Sequence, residues 1–288
     1  MTAVSTARRA LAVDVGATKM AVGVVDPDGT IRWQGRTPTP RSHDPEVVWG
    51  ALAAVVAEAP AGAEVCGVGC GGPSEEGGGV SPLNIPAWRD FPLAGRLESL
   101  TGLPTAVDND AKALALAEGL FGAARGRRNY MSMVVSSGVG GGIVLDGRLL
   151  DGRSGNAGHI GHVVVEPEGR RCECGGQGCL EAEASGMSIA AWSGQPAAEA
   201  SPEVVDRVGM LVGRGVASVA NLLDLRLATV AGSVALGFGA PFFAAAQAEI
   251  DRRSRLVFST GCRIVPSGLG AEGPIVGAAA VAWRRQAR

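Results

Sequence analysis

His162 is followed by Cys172, Cys174 and Cys179. Three thiolates and one imidazole complete a tetrahedral zinc shell and leave no coordination position for water. This spacing therefore points to a structural Zn2+ and not to metal catalysis. A reduced cysteine cluster beside an unrelated histidine fits the same residues. Two further patterns suit phosphate. In Asp14-Val15-Gly16-Ala17-Thr18-Lys19, an acid at a strand end precedes a tight turn. The turn's backbone N–H groups and the Thr18 hydroxyl can cradle phosphate oxygens, and Asp14 can position hydrated Mg2+. Ser136-Ser137-Gly138-Val139-Gly140-Gly141-Gly142 repeats the design. Each alone also fits a plain β-hairpin, but the two in matching contexts point to a nucleotide. In Asp108-Asn109-Asp110, Asp110 can take a proton from a substrate hydroxyl and Asn109 can hold a neighbouring one. Helix capping accounts for the same three residues. His43 reads as a surface residue, and Cys66, Cys70 and Cys262 as buried apolar groups.

The elements around these residues alternate. Apolar runs at 10–15, 20–25, 65–69 and 105–107 predict strands, and helical spacing marks 46–59, 93–101 and the stretch from the 108–110 cap to about Gly119. A second unit begins near Asn129, with a strand at 130–135, a glycine turn at 136–142, a returning strand at 142–145 and a hairpin turn at Asp146-Gly147. A long helix over 203–223 and a strand at 228–230 follow. Strands alternating with helices place the chain in the α/β class. Residues 1–118 are expected to form an N-terminal lobe, completed by a helix at 273–288, and 119–272 a C-terminal lobe carrying the zinc loop.

Composition narrows the function. The 288 residues carry 26 Lys and Arg against 28 Asp and Glu, a net charge of −2, which argues against a generic nucleic-acid binder. An apolar share of 46% with 19% charged residues excludes an extended disordered chain. The 44 glycines keep no three-residue period, so collagen is excluded. Six cysteines are too few for a disulfide scaffold and suit a reducing cytoplasm. The uncharged stretch from Leu227 to Ala248 is long enough to span a bilayer. Its Gly232, Ser233, Gly237, Gly239 and Pro241 are better explained by a strand, a glycine turn and a helix. No membrane or nucleic-acid partner is expected, and a homodimer or homotetramer is the expected assembly.

Taken together the motifs resemble the ROK group of sugar kinases and sugar-responsive repressors, within the actin-like ATPase superfamily. The resemblance rests on DVGATK at 14–19, VDNDAKALALAE at 107–118, SSGVGGGI at 136–143 and GNAGHIGH at 155–162 with CECGGQGCLEAEASG at 172–186. VAGSVAL at 230–236 and GPIVGAAAVA at 273–282 extend it. It implies a two-lobed actin-like (ribonuclease H-like) α/β fold whose interlobe cleft closes over ATP and a hexose. It places the ATP phosphates at Asp14, Gly16, Thr18, Lys19, Ser137 and Gly138, and the adenosine near Gly232 and Ser233. The sugar would meet Gly72, Asn84, Asn109, Asp110, His159, His162 and Glu181, with Asp110 as the base. Small-molecule sugar and ATP are the implied partners, with Mg2+ and a structural Zn2+ on His162, Cys172, Cys174 and Cys179.

Many family members read GEIGH where this chain reads GHIGH, so His159 replaces a glutamate. A glutamate only accepts hydrogen bonds, whereas a neutral histidine offers one donor and one acceptor. Bacterial N-acetylmannosamine kinases of the family resemble this chain at GHIGH. SPLNIPAWRDFPL at 81–93 looks instead like the glucokinase type, with Asn84 and Trp88 in its sugar loop. Phosphorylation at the 6-hydroxyl of glucose, or of an amino-glucose such as kanosamine, is the first expectation and of N-acetylmannosamine the second. A non-catalytic sugar-binding regulator is the alternative of another class. Repressors of the group carry an N-terminal helix-turn-helix, for which a phosphate motif starting at Asp14 leaves no room.

Overall fold

The computed structural model describes residues 8–73, 78–82 and 84–286. The chain divides into two compact units. One runs up to Ala117 and includes Asp151–Ala157 and the segment from Ala271 onward, while the other comprises Glu118–Leu150 and Gly158–Gly270.

The first unit is built on a five-stranded sheet in the order β3-β2-β1-β4-β5. Its strands are β1 (Ala10–Val15), β2 (Lys19–Val25), β3 (Ile31–Pro38), β4 (Val65–Cys70) and β5 (Thr105–Asn109). β1 and β2 pair antiparallel around the tight turn, and β4 and β5 run parallel to β1. β3, at the edge, alternates between half-buried and exposed residues, whereas all six residues of β4 are buried. Helix α1 (Pro45–Ala57) starts where the Asp44 carboxylate accepts from the Glu46 N–H, and it buries Val48, Leu52, Val55 and Val56. α2 (Leu93–Thr101) ends at Gly102 in the left-handed conformation. α3 (Asp110–Leu120) follows β5 with no intervening residue. The last helix, α9 (Gly273–Gln286), packs on β4, β1 and β5. Gly67 makes that approach possible, because a Cβ there would lie 2.0 Å from the Ala278 carbonyl oxygen. The helix expected at 273–288 is present through Gln286, and residues 287 and 288 lie outside the described residues.

The second unit repeats the connectivity. Its sheet, in the order β10-β9-β6-β7-β8, uses β6 (Tyr130–Val135), β7 (Val139–Leu145), β8 (Arg148–Leu149), β9 (Leu227–Ala231) and β10 (Arg263–Pro266). β6, β7 and β8 form an antiparallel meander, and β9 and β10 add in parallel. In each unit the first strand is central, its two hairpin partners lie on one side and the two parallel strands on the other. The long α6 (Pro202–Leu223) buries a stripe including Val208, Leu211, Val212, Val216 and Val219. It packs on α8 (Ala240–Arg253). Short helices α4 (Leu180–Ala184), α5 (Gly186–Ser193) and α7 (Ser233–Phe238) complete the unit.

The returning strand starts at Val139 and not at Gly142, so Gly140 to Gly142 lie inside β7. The reason is packing, since a Cβ at Gly141 would meet Ile160 Cγ2 at 2.8 Å. The stretch from Leu227 to Ala248 folds as β9, a glycine turn, α7 and the start of α8. Among the described residues no helix is long and apolar enough to cross a membrane.

Candidate functional site

In the first unit the candidate residues gather at the carboxyl ends of β1, β4 and β5. Ligands of open α/β sheets bind outside such strand ends. Asp14 stands opposite Ala21 and Gly69 in the sheet. The turn after it closes with the Gly16 N–H donating to the Lys19 carbonyl at 3.0 Å. Thr39 clamps the turn from outside: its hydroxyl donates to the Gly16 carbonyl at 2.7 Å and its N–H to the Thr18 carbonyl at 3.1 Å. Sequence inspection gives no sign of Thr39, because its partners lie two strands away.

Asn109 does what a helix cap does. Its Oδ1 accepts from the Ala111 N–H at 3.0 Å and the Lys112 N–H at 3.3 Å, and its Nδ2 donates to the Gly72 carbonyl at 3.1 Å. It thereby ties the Gly71-Gly72 loop to the start of α3. Asp110 Oδ1 accepts from the Ala111 N–H at 2.8 Å. Its Oδ2 faces Gly71, where a Cβ would lie 3.6 Å away.

Burial pushes the Asp14 carboxyl from 3.8 up to about 7, the Asp110 charge adds to the rise, and Lys19 opposes it. Burial raises Asp110 too, partly offset by the Ala111 N–H. The Cys70 thiol is pushed well above its ordinary value by burial and then by Asp110 and Asp14. Two carboxylates in one desolvated corner resist joint ionisation.

The 81–93 segment contributes differently from the expectation. Asn84 is exposed, whereas Trp88 is fully buried, stacks on Phe91 at 4.4 Å and donates to the Pro45 carbonyl. Trp88 is a core residue.

In the second unit the turn 136–138 closes with the Ser136 N–H donating to the Gly138 carbonyl at 2.9 Å. Gly186 and Met187, opening α5, donate their N–H groups to the Ser136 and Ser137 carbonyls. Gly232, at φ +103°, brings β9 against β6, where a Cβ would fall 2.3 Å from the Val135 carbonyl. The next residue, Ser233, places its hydroxyl 2.9 Å from that of Ser136. Ser137, Gly138, Gly232 and Ser233 therefore lie close together. Glu181, in the first turn of α4, joins the same group: its Oε2 accepts from the Val139 N–H at 2.9 Å.

The Cys/His cluster forms as its spacing predicts. The ligand atoms of His162, Cys172, Cys174 and Cys179 all lie within 4.8 Å of one another. Cys174 Sγ and Cys179 Sγ are 3.8 Å apart, as are Cys172 Sγ and His162 Nδ1. Sulfurs about 2.3 Å from a tetrahedral zinc would lie about 3.8 Å apart. The donor set and its spacing fit zinc. Glu183, unmarked in the sequence, supports this loop: it is fully buried, accepts from the Arg170 N–H at 2.7 Å, and pairs with Arg170 and Arg207. His159 and His162 present near-parallel rings 6.2 Å apart.

The raised Asp14 carboxyl has a measurable consequence. Between about pH 4 and about 7 the folded chain holds a proton there that the unfolded chain has released. Folding takes up that proton, so its stabilising contribution is complete below pH 3.8 and is lost as pH rises through about 7. In Asp14→Asn this component vanishes. The urea midpoint of the ligand-free protein is expected to fall more steeply across this window in the wild type than in the variant. Equal slopes would refute the shift.

Comparison with known proteins gives one family. A ROK family profile matches residues 10–285. The N-acetylmannosamine kinase of Citrobacter koseri is 39% identical over 246 residues, 80% of this chain and 84% of that protein. A ROK hexokinase from Thermus thermophilus superposes with TM-score 0.82 at 31% identity, over 97% of this chain and 99% of that one. A ROK family glucokinase from Streptomyces griseus, solved with glucose and AMPPNP, gives 0.83 at 30% identity over 96% and 99%. On the motifs, the doubled sheet topology and these likenesses, the chain belongs to the ROK family.

Proposed function

We propose that this chain transfers the γ-phosphoryl group of ATP to the 6-hydroxyl of an N-acylated hexosamine, N-acetylmannosamine first. The observation that carries the reading is GHIGH at 158–162 together with 39% identity to a kinase of that sugar. The chemistry of the slot agrees. An N-acetyl group is neutral, with one amide donor and one carbonyl acceptor, which a neutral imidazole can match. An ammonium sugar such as kanosamine would gain more from the glutamate that His159 replaces. Glucose stays as the second reading, on Asn84 and on the Streptomyces griseus relative solved with glucose. Trp88 no longer supports it, because its burial speaks for packing.

The reaction needs a base, a cradle for the phosphates and a held sugar. Asp110 is the base. As the sugar oxygen bonds to the γ-phosphorus, the bond to the bridging oxygen breaks, its electron pair leaves with ADP, and the hydroxyl proton passes to the Asp110 carboxylate. Its raised pKa brings it nearer to neutral pH, where a general base works best. Asn109 fixes the start of α3, and so the aim of Asp110, by capping. The Gly16–Lys19 turn and the Ser137-Gly138 turn are the phosphate cradles, with Gly232 and Ser233 near the adenosine. Mg2+ fits Asp14, whose crowded negative charge a cation relieves; when bound, it neutralises phosphate charge. Zn2+ on His162, Cys172, Cys174 and Cys179 would hold the loop that leads into α4 and Glu181. His162 would coordinate through Nδ1, leaving Nε2 for the sugar.

Three measurements test this. ADP release with N-acetylmannosamine, N-acetylglucosamine, glucose and kanosamine is expected to give the highest kcat/KM for N-acetylmannosamine; a higher value for glucose would reverse the order. Asp110→Asn keeps the size and should lower kcat by roughly 10²–10⁴-fold, and a change of only a few-fold would remove Asp110 from its role. Metal analysis of protein purified without added zinc should find one zinc per chain. Full activity in zinc-free protein would dismiss the structural metal.

A further inference from the structure

Lys112 is one of two lysines in the chain and is 1% exposed. It lies on α3 two residues after Asp110. Its ammonium is 2.9 Å from Asp108 Oδ1 and 3.1 Å from Asp151 Oδ1, and it donates to the Gly155 carbonyl at 2.5 Å. Arg284, on α9, closes the cluster from the other side. It donates to Asp108 Oδ2 at 3.1 Å and to Asp151 Oδ2 at 2.5 Å. Two cations and two anions thus make a neutral, largely buried group, all within the first unit.

Stability alone does not call for this arrangement. Removing an ammonium from water carries a large desolvation cost, and apolar replacement of a balanced buried pair is often neutral or stabilising. Without Lys112 and the Asp151 charge, Arg284 and Asp108 would still form a neutral pair. What the ammonium adds is a place for residues 151–157. Asp151 and Gly155 both bind it, the Ala157 N–H donates back to the Asp151 carbonyl at 2.9 Å, and Gly152 and Gly155 take positive φ to make the bend. Gly155, Asn156 and Ala157 open the GNAGHIGH stretch.

We propose that Lys112 is a positioning residue whose ammonium fastens the start of the sugar-binding stretch 155–162 to the helix turn that presents Asp110. The inference rests on the reading of Asp110 and of that stretch as sugar contacts. Lys112 is buried too deeply for its ammonium to meet sugar or phosphate itself. It acts by fixing Gly155 relative to Asp108–Asp110, and so sets sugar affinity and leaves nucleotide affinity alone.

The test separates positioning from structural support. Lys112→Met takes one of the two cations from the two carboxylates and leaves the cluster with a net negative charge, so the urea midpoint should drop. The sugar KM should rise roughly tenfold, and the ATP KM should stay within about twofold of the wild type. The double variant Lys112→Met/Asp151→Asn restores charge balance. Its midpoint should return toward the wild type while its sugar KM stays raised. A sugar KM that recovers with stability, or that never rises in Lys112→Met, overturns the proposal. So does a double variant that fails to fold, since the cluster is then structural. Should only Lys112→Met fail to fold, the double variant decides by the same KM criterion. Wild-type protein that turns over none of the four sugars overturns the functional reading and this proposal with it. Wild-type turnover with normal sugar KM in the variants overturns this proposal alone.

Discussion

Two half-buried residues, Asp14 and Asp110, place desolvated carboxyls at the carboxyl end of one sheet, where the Asp110 charge acts on Asp14. Most of the first unit's local structure serves to keep them there. Asp14 is fixed by pairing on both sides, antiparallel to β2 and parallel to β4. Asp110 is fixed because β5 passes into α3 without a linker, with Asn109 capping the first turn. Burial first and the Asp110 charge second disfavour the charged form of Asp14, and a proton or a cation relieves both.

The second unit uses the same strand order for a different end. Its first hairpin turn is bound on several sides: by the opening N–H groups of α5, by Ser233 and, at Val139, by Glu181. Glu181 follows two residues after Cys179, so the four-ligand cluster and the hairpin turn share a short rigid path. Glu183 adds a second fastening one helical step along, through Arg170 and Arg207. Arg170 also lies 4.5 Å over the ring of Trp192. The Cys/His cluster, a buried carboxylate and a cation–π contact all act on one loop, which has little secondary structure of its own to hold it.

Much of this was legible in the sequence. The places of most strands follow from apolar runs and turn residues, and the Cys/His spacing anticipates the cluster of His162, Cys172, Cys174 and Cys179. What escaped shares one cause: partners far apart in sequence. Lys112 reads as an ordinary helix lysine until Asp151, Gly155 and Arg284 surround it. Thr39 has no local signature, and its function as a clamp exists only in the sheet register. The glycines of 140–142 look like turn residues, yet they lie inside β7, where Gly141 admits Ile160. Trp88, which the motif places in the 81–93 loop, is held in the core by stacking on Phe91.

The treatment of buried acids separates function from architecture. Burial raises Glu249, yet hydrogen bonds from Arg253, Arg252 and Arg214 bring it below the usual carboxylate range. Glu183 has two arginines, and Asp108 has Lys112 and Arg284. Glu118 is satisfied by the Ala123 and Gly268 N–H groups and the Ser267 hydroxyl. In each case the fold supplies the partner that desolvation demands. Asp14 differs: its nearest charged influences are a like charge and Lys19, a lysine exposed to solvent, and its carboxyl stays raised at about 7. Asp14 and Asp110 thus stand apart from Glu249, Glu183 and Asp108, whose burial is offset by arginine or lysine, and raised carboxyls of this kind cluster at functional sites. The Lys112 cluster agrees with this: because Lys112 and Arg284 are matched by Asp108 and Asp151, they carry no surplus positive charge for Asp14 and Asp110.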